Sequence, residues 1–149
     1  MKNMIKIAAA ALLIGGISLT ACKKYQDGPT LSIHSKKGRV AGEWMVEKYM
    51  EDGVDKTSDY RSAIASEDMK MAKDGTYTSS QTYTAVLGGG TSSDNGTWSF
   101  INSKDDLRTL SAASNATADT MAILKLTNKE MWAKSVSGSP VIEIHYAAK

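Results

Sequence analysis

The sequence predicts an all-β domain, an antiparallel sandwich or a small up-and-down β-barrel of about eight short strands. Three observations predict it. From Gly42 onward, apolar and polar residues alternate with period two. Turn-forming groups such as Asp52-Gly53, Asp74-Gly75, Asp94-Asn95-Gly96 and Gly138-Ser139-Pro140 cut that alternation into short runs. Little of the chain carries a helical pattern, and a meander of such strands removes its exposed edges by closing on itself.

The elements follow in order. Trp44, Val46, Lys48 and Met50 share one face of a first strand that Asp52-Gly53 closes. Residues 54–66 are irregular, with a short helical turn expected near 62–66. Met69 and Met71 share a face of the second strand, and Asp74-Gly75 offers a two-residue hairpin turn. Tyr77, Ser79, Gln81, Tyr83, Ala85 and Leu87 then line one face of a long third strand. Residues 88–96 read as a flexible turn region, and Trp98 and Phe100 alternate with polar neighbours in the fourth strand. Leu107 and Thr109 belong to the fifth. Ala122, Leu124 and Leu126 oppose Ile123 and Lys125 in the sixth. In the seventh, either Met131 and Ala133 or Trp132 and Val136 face inward, and the pattern does not choose. Ile142, Ile144 and Tyr146 close the eighth.

The N-terminus carries an address. Lys2 and Lys6 precede an uncharged apolar run over 7–17, too short to span a bilayer, and small residues follow it, as in a secretory signal. Leu19-Thr20-Ala21-Cys22 resembles the lipobox of bacterial lipoproteins. That resemblance implies cleavage before Cys22 and acylation of its thiol and new amino terminus. Cys22 is the single cysteine of the 149 residues, so no disulfide or zinc-thiolate site competes for it. The expected organisation is a signal peptide over 1–21, a tether over 22–37 and a barrel over 38–149. Lys23 is not the acidic residue associated with inner-membrane retention, which favours the outer membrane of the cell envelope.

Charge excludes one class of partner. Residues 1–21 hold two lysines and no acid, so the chain from Cys22 onward balances 16 basic against 16 acidic residues. The only basic bias is local: Lys23, Lys24, Lys36, Lys37 and Arg39 against Asp27. That is no nucleic-acid face. It suits a tail beside anionic lipid or one that is simply solvated.

Gly42-Glu43-Trp44 resembles the G-x-W motif of the lipocalin and calycin families. The order of a G-x-W strand, a D-G-T-Y hairpin, a G-T-W-S strand and a closing apolar strand is similar to the small lipocalin-like domain of many bacterial outer-membrane lipoproteins. The resemblance covers 38–149 and implies an eight-stranded antiparallel barrel with Trp44 plugging one end. It also implies an interior that side chains fill or that holds one small ligand. Ser58-Asp59-Tyr60 follows the first strand, not the position of the family's later T-D-Y motif, and takes no role from it. No arginine follows Arg108, which leaves Arg39 to pack on Trp44.

No catalytic constellation can be named, and the expectation is a non-enzymatic protein without metal or cofactor. His34 and His145 lack partners at metal-ligand spacing. The acidic pairs Glu51-Asp52, Glu67-Asp68 and Asp105-Asp106 read as solvated charge beside turns, since adjacent strand carboxylates point to opposite faces. Tyr77, Ser79, Gln81 and Tyr83 either orient a bound molecule or turn their hydroxyls to water at a barrel mouth. Lys48 either pairs with an acidic ligand or marks the open end. The candidate lining is Trp44, Val46, Tyr77, Gln81, Tyr83, Trp98 and Tyr146. The expected function is a membrane-anchored carrier of a small apolar or amphipathic molecule. The alternative is an interaction module that docks on another envelope protein.

Overall fold

The computed structural model describes residues 34–149. The expected signal peptide, Cys22 and residues 22–33 of the expected tether lie outside them. The chain runs from α1 (Lys36–Val40) into β1 (Gly42–Glu51), β2 (Val54–Asp55), α2 (Thr57–Ala63), β3 (Ile64–Met71), β4 (Thr76–Tyr83) and β5 (Thr91–Ile101). Then come β6 (Asp106–Ser111), β7 (Asp119–Leu126), β8 (Glu130–Ser135) and β9 (Ile142–Ala148). All pairings are antiparallel. β1, β3, β4, β5, β6, β7, β8 and β9 follow one another around the sheet, and β9 returns to β1, closing an eight-stranded barrel. The two-residue β2 hangs on the end of β1 as a ninth strand outside the ring.

The floor is packed shut. Ser35 caps α1 by accepting from the Gly38 amide, and α1 seals the barrel with Val40, which is wholly buried. Trp44 stands on that plug and donates its indole N–H to the Val40 carbonyl at 2.8 Å. Trp98 donates to the Ala72 carbonyl at 3.0 Å and meets Phe100 edge to face. Met71, Leu107, Ile123, Leu126 and Met131 complete the core. Of the basic residues expected on a tether or beside lipid, Lys37 and Arg39 are part of this floor, while Lys23 and Lys24 lie outside the described residues. Lys37 lies 6.0 Å from the Trp98 ring centroid, and Arg39 donates to the Leu126 carbonyl at 2.7 Å.

Three register slips interrupt the ladders, one of them between Ile64 and Ser66, and they reset the inward phase. Between Val46 and Lys48 the β1–β9 register slips, so Tyr49 pairs with Ile144 while Lys48 pairs with His145. Lys48 therefore points outward, against the expectation, and lies 3.5 Å from Asp55. Between Ile123 and Lys125 a second slip turns both Ile123 and Leu126 inward. In β8, Met131 and Ala133 face in. Trp132 lies outside, stacked 4.1 Å from His145, whose Nε2 is 2.8 Å from the Glu143 carboxylate.

Several local expectations are corrected. The helical turn begins at Thr57, not near 62, because the Lys56 amide docks on the Tyr49 carbonyl and Thr57 on the Tyr49 amide. The β3–β4 hairpin loop has three residues, Lys73-Asp74-Gly75, bounded by the Ala72–Thr76 hydrogen bond. Gly75 takes the positive φ that this turn and its bulge need. Ala85–Leu87 form a 3₁₀ turn rather than strand, and three left-handed glycines follow. Residues 91–96, expected as turn, are strand β5, paired to β4 from Thr91 to Thr97.

Candidate functional site

The upper half of the barrel is hollow, and the cause is a seam. β1 and β3 pair only at Gly42–Met71, Glu43–Lys70 and Trp44–Met69. Continued, that register would set Val46 opposite Glu67. There the backbones have parted and side chains take over the ladder. The Val46 amide donates to the Glu67 carboxylate at 2.8 Å, and Arg61 donates to the Val46 carbonyl. Arg61 also lies 3.3 Å from the same Glu67 oxygen, Tyr60 donates its hydroxyl to the other, and the Gln81 amide reaches Tyr60 at 3.3 Å. Lys149 takes the Glu67 carbonyl at 3.1 Å. No backbone polar group of Val46 is left unpaired, so the barrel opens without the penalty of an orphaned ladder.

Two chambers result. The upper one, about 460 Å³, lies under α2. Trp44, Val46, Met69, Ile144 and Tyr146 form its apolar wall, while Glu67, Ser79, Gln81 and Asp94 supply polar groups. Tyr49 and Tyr60, stacked at 4.9 Å, stand at its seam. The lower one, about 210 Å³, is lined mainly by Met69, Met71, Tyr77, Leu107, Met121 and Met131. Met69, Ser79, Asp94 and Tyr146 border both. The larger volume lies within the usual span of small-molecule sites, roughly 300–1,000 Å³.

Four tyrosine hydroxyls here resist ionisation. Burial, then the Glu67 carboxylate, pushes Tyr60 well above the ordinary tyrosine value, and burial does the same for Tyr146. Burial raises Tyr49, with Glu51 adding to it. Tyr77 is pushed up to about 12 by burial and by its 2.6 Å hydrogen bond to Asp94. Asp94 is held below the usual carboxylate range by the Ser111 hydroxyl first and Tyr77 second.

The sign for stability follows. The folded chain holds the Tyr77 proton more tightly than the unfolded chain does. Its contribution is complete below the ordinary value of 10.0 and is lost as pH rises through about 12. In an alkaline titration, ionisation of Tyr49, Tyr60, Tyr77 and Tyr146 is expected above the ordinary tyrosine range, in step with loss of β circular dichroism. Half-ionisation of these four tyrosines near pH ~10 with the circular dichroism intact would show that their hydroxyls are solvated.

Of the residues expected to line a site, Trp44, Val46, Gln81 and Tyr146 meet in the upper chamber, and Tyr77 joins Tyr146 in the lower. Trp98 belongs to the packed floor, and Tyr83 ends β4 opposite Ile64; neither lines a chamber. Glu67 is no turn charge: it sits inside β3 with its side chain 7% exposed. A signal for it was present, since 67, 69 and 71 share one face of a strand. The same count from Trp98 and Gly96 turns Asp94 inward. Tyr49 had no such signal, because the bulge that turns it leaves no mark in the alternation.

Glu67→Ala strips acceptors from the Val46 amide, Tyr60 and Arg61 together. It is expected to lower stability by about 2–3 kcal/mol, read as a urea midpoint. Arg61→Ala should cost less, because its side chain is 36% exposed to water. Equal losses would put the seam's strength in Arg61 instead.

Comparison of the sequence with protein-family models and with curated proteins gives no match.

Proposed function

We propose that this protein is a lipid-anchored envelope lipoprotein whose lipocalin-like barrel binds and carries a small amphipathic molecule. The observation that carries the reading is the clasped seam. Glu67 and Arg61 hold β1 and β3 apart where backbone pairing would have narrowed the barrel, and the space they keep is lined by both apolar and polar groups. The Tyr146 hydroxyl supports it as well: it borders both chambers and makes no hydrogen bond among the described residues. The anchor rests on Leu19-Thr20-Ala21-Cys22 and the apolar run before it. The reading assigns Cys22 as the lipid attachment site and the outer membrane as the destination.

The test is native mass spectrometry of the chain purified from its own envelope, beside Ser79→Phe. Ser79 borders both chambers, so a phenyl ring there fills the space a guest would use. The expected result is a small-molecule mass on the wild-type chain that Ser79→Phe loses while its melting temperature holds. Uptake of labelled palmitate, lost in Cys22→Ser, checks the anchor. The docking alternative has exposed Val86 (80%) and Leu87 (56%) in its favour, on the loop beside α2. An apo mass from the wild-type chain would sink the carrier reading and turn attention to that loop.

A further inference from the structure

The charges around the two chambers are of one sign. Glu67, Asp68, Asp94 and Asp119 line them, and no lysine, arginine or histidine does among the described residues. These carboxylates are not equivalent. Glu67 is matched by Arg61, Asp68 is paired with Lys149, and Asp119, which borders the lower chamber alone, accepts the Thr120 amide at 2.8 Å. Asp94 is held by two hydroxyls, Tyr77 at 2.6 Å and Ser111 at 2.5 Å, and no ion pair reaches it among the described residues. Its position matters as much as its charge. It stands where the upper chamber meets the lower, a boundary that Tyr146 also lines. Below it lies the methionine-lined chamber, and methionine adapts its shape to an apolar guest.

We infer that the guest is a cationic amphiphile, with an apolar tail in the lower chamber and a positively charged nitrogen set against Asp94. This rests on the carrier reading and gives it a ligand class. A cation there gains a counter-charge that no ion pair takes among the described residues. An anionic head would meet Asp94, Asp119 and Glu67 with no basic side chain in the lining to offset them. A neutral head should fall between the two.

The test is a matched series of octyltrimethylammonium, octanol and octanoate. Each is titrated calorimetrically at pH 7 and low salt into the full chain held in zwitterionic nanodiscs, with the titration of empty nanodiscs subtracted. The expected order is ammonium, then alcohol, then carboxylate, with the first step at least about fivefold. Asp94→Asn should remove that step, bringing the ammonium and alcohol affinities together; Asp94 is exposed at the residue level, so the fold should survive. Octanol or octanoate binding as tightly as the ammonium compound would overturn the inference and leave the carrier reading standing. So would an ammonium preference that persists in Asp94→Asn. Failure of all three to bind would remove both. Should Asp94→Asn unfold, the order measured on the wild-type chain decides alone.

Discussion

Trp44→Ala is expected to destabilise the domain by about 3–5 kcal/mol, on the order of 10–20 °C in melting temperature. The ring is 1% exposed, and its removal empties the space between the α1 plug and the chambers above. It also takes away the only hydrogen bond that ties the indole to the Val40 carbonyl, the backbone group that fixes α1 to the floor. For a domain stabilised by roughly 5–15 kcal/mol that is a large share of the total. Trp44→Phe separates the two contributions. It keeps most of the packing and loses the donor, and about 1–3 kcal/mol is the expected cost. A loss under ~1 kcal/mol in Trp44→Ala would mean that α1 does not seal the barrel.

Gly96→Ala should be nearly as damaging, for a different reason. Gly96 pairs with Tyr77 on one side and Ser111 on the other, where β5 runs close against β6. A Cβ at that position would lie 2.0 Å from the Leu110 carbonyl oxygen and 2.9 Å from the Ser111 Cα. Both are backbone atoms of a paired strand, so the clash is relieved only by shifting the ladder. The expected cost is about 3 kcal/mol or more, at the upper end of what overpacking does. Gly53→Ala is the control. Gly53 has a positive φ of 79° but open space around its Cβ, so about 1 kcal/mol of backbone strain is all that is expected. Chemical denaturation of the two variants side by side measures the difference. Equal losses would show that β5 and β6 are not in close contact at Gly96.

The strands were legible where alternation ran unbroken. Met69 and Met71, Trp98 and Phe100, and Ile142, Ile144 and Tyr146 all lie on the strands and faces that period two assigns. The closed ring of eight follows from their meander order. Legibility failed where the chain breaks its own period. The bulge before Lys48 exchanges a lysine for Tyr49 inside the barrel, and no residue type announces it. Asp94-Asn95-Gly96 has turn composition but is held as strand, because paired neighbours on both sides outweigh local preference. The site was half visible. Trp44, Val46, Gln81 and Tyr146 were found as inward residues of strands, whereas Glu67 and Arg61 matter through a partnership across the seam that spacing along the chain does not encode.

The position of α1 gives the molecule a polarity. The described chain enters at the floor, through Ser35 and α1, while the space beneath α2 lies at the opposite end of the barrel axis. Any attachment N-terminal to His34 therefore pulls on the closed pole. The way into the chambers and the way into the fold thus lie at opposite poles of the barrel.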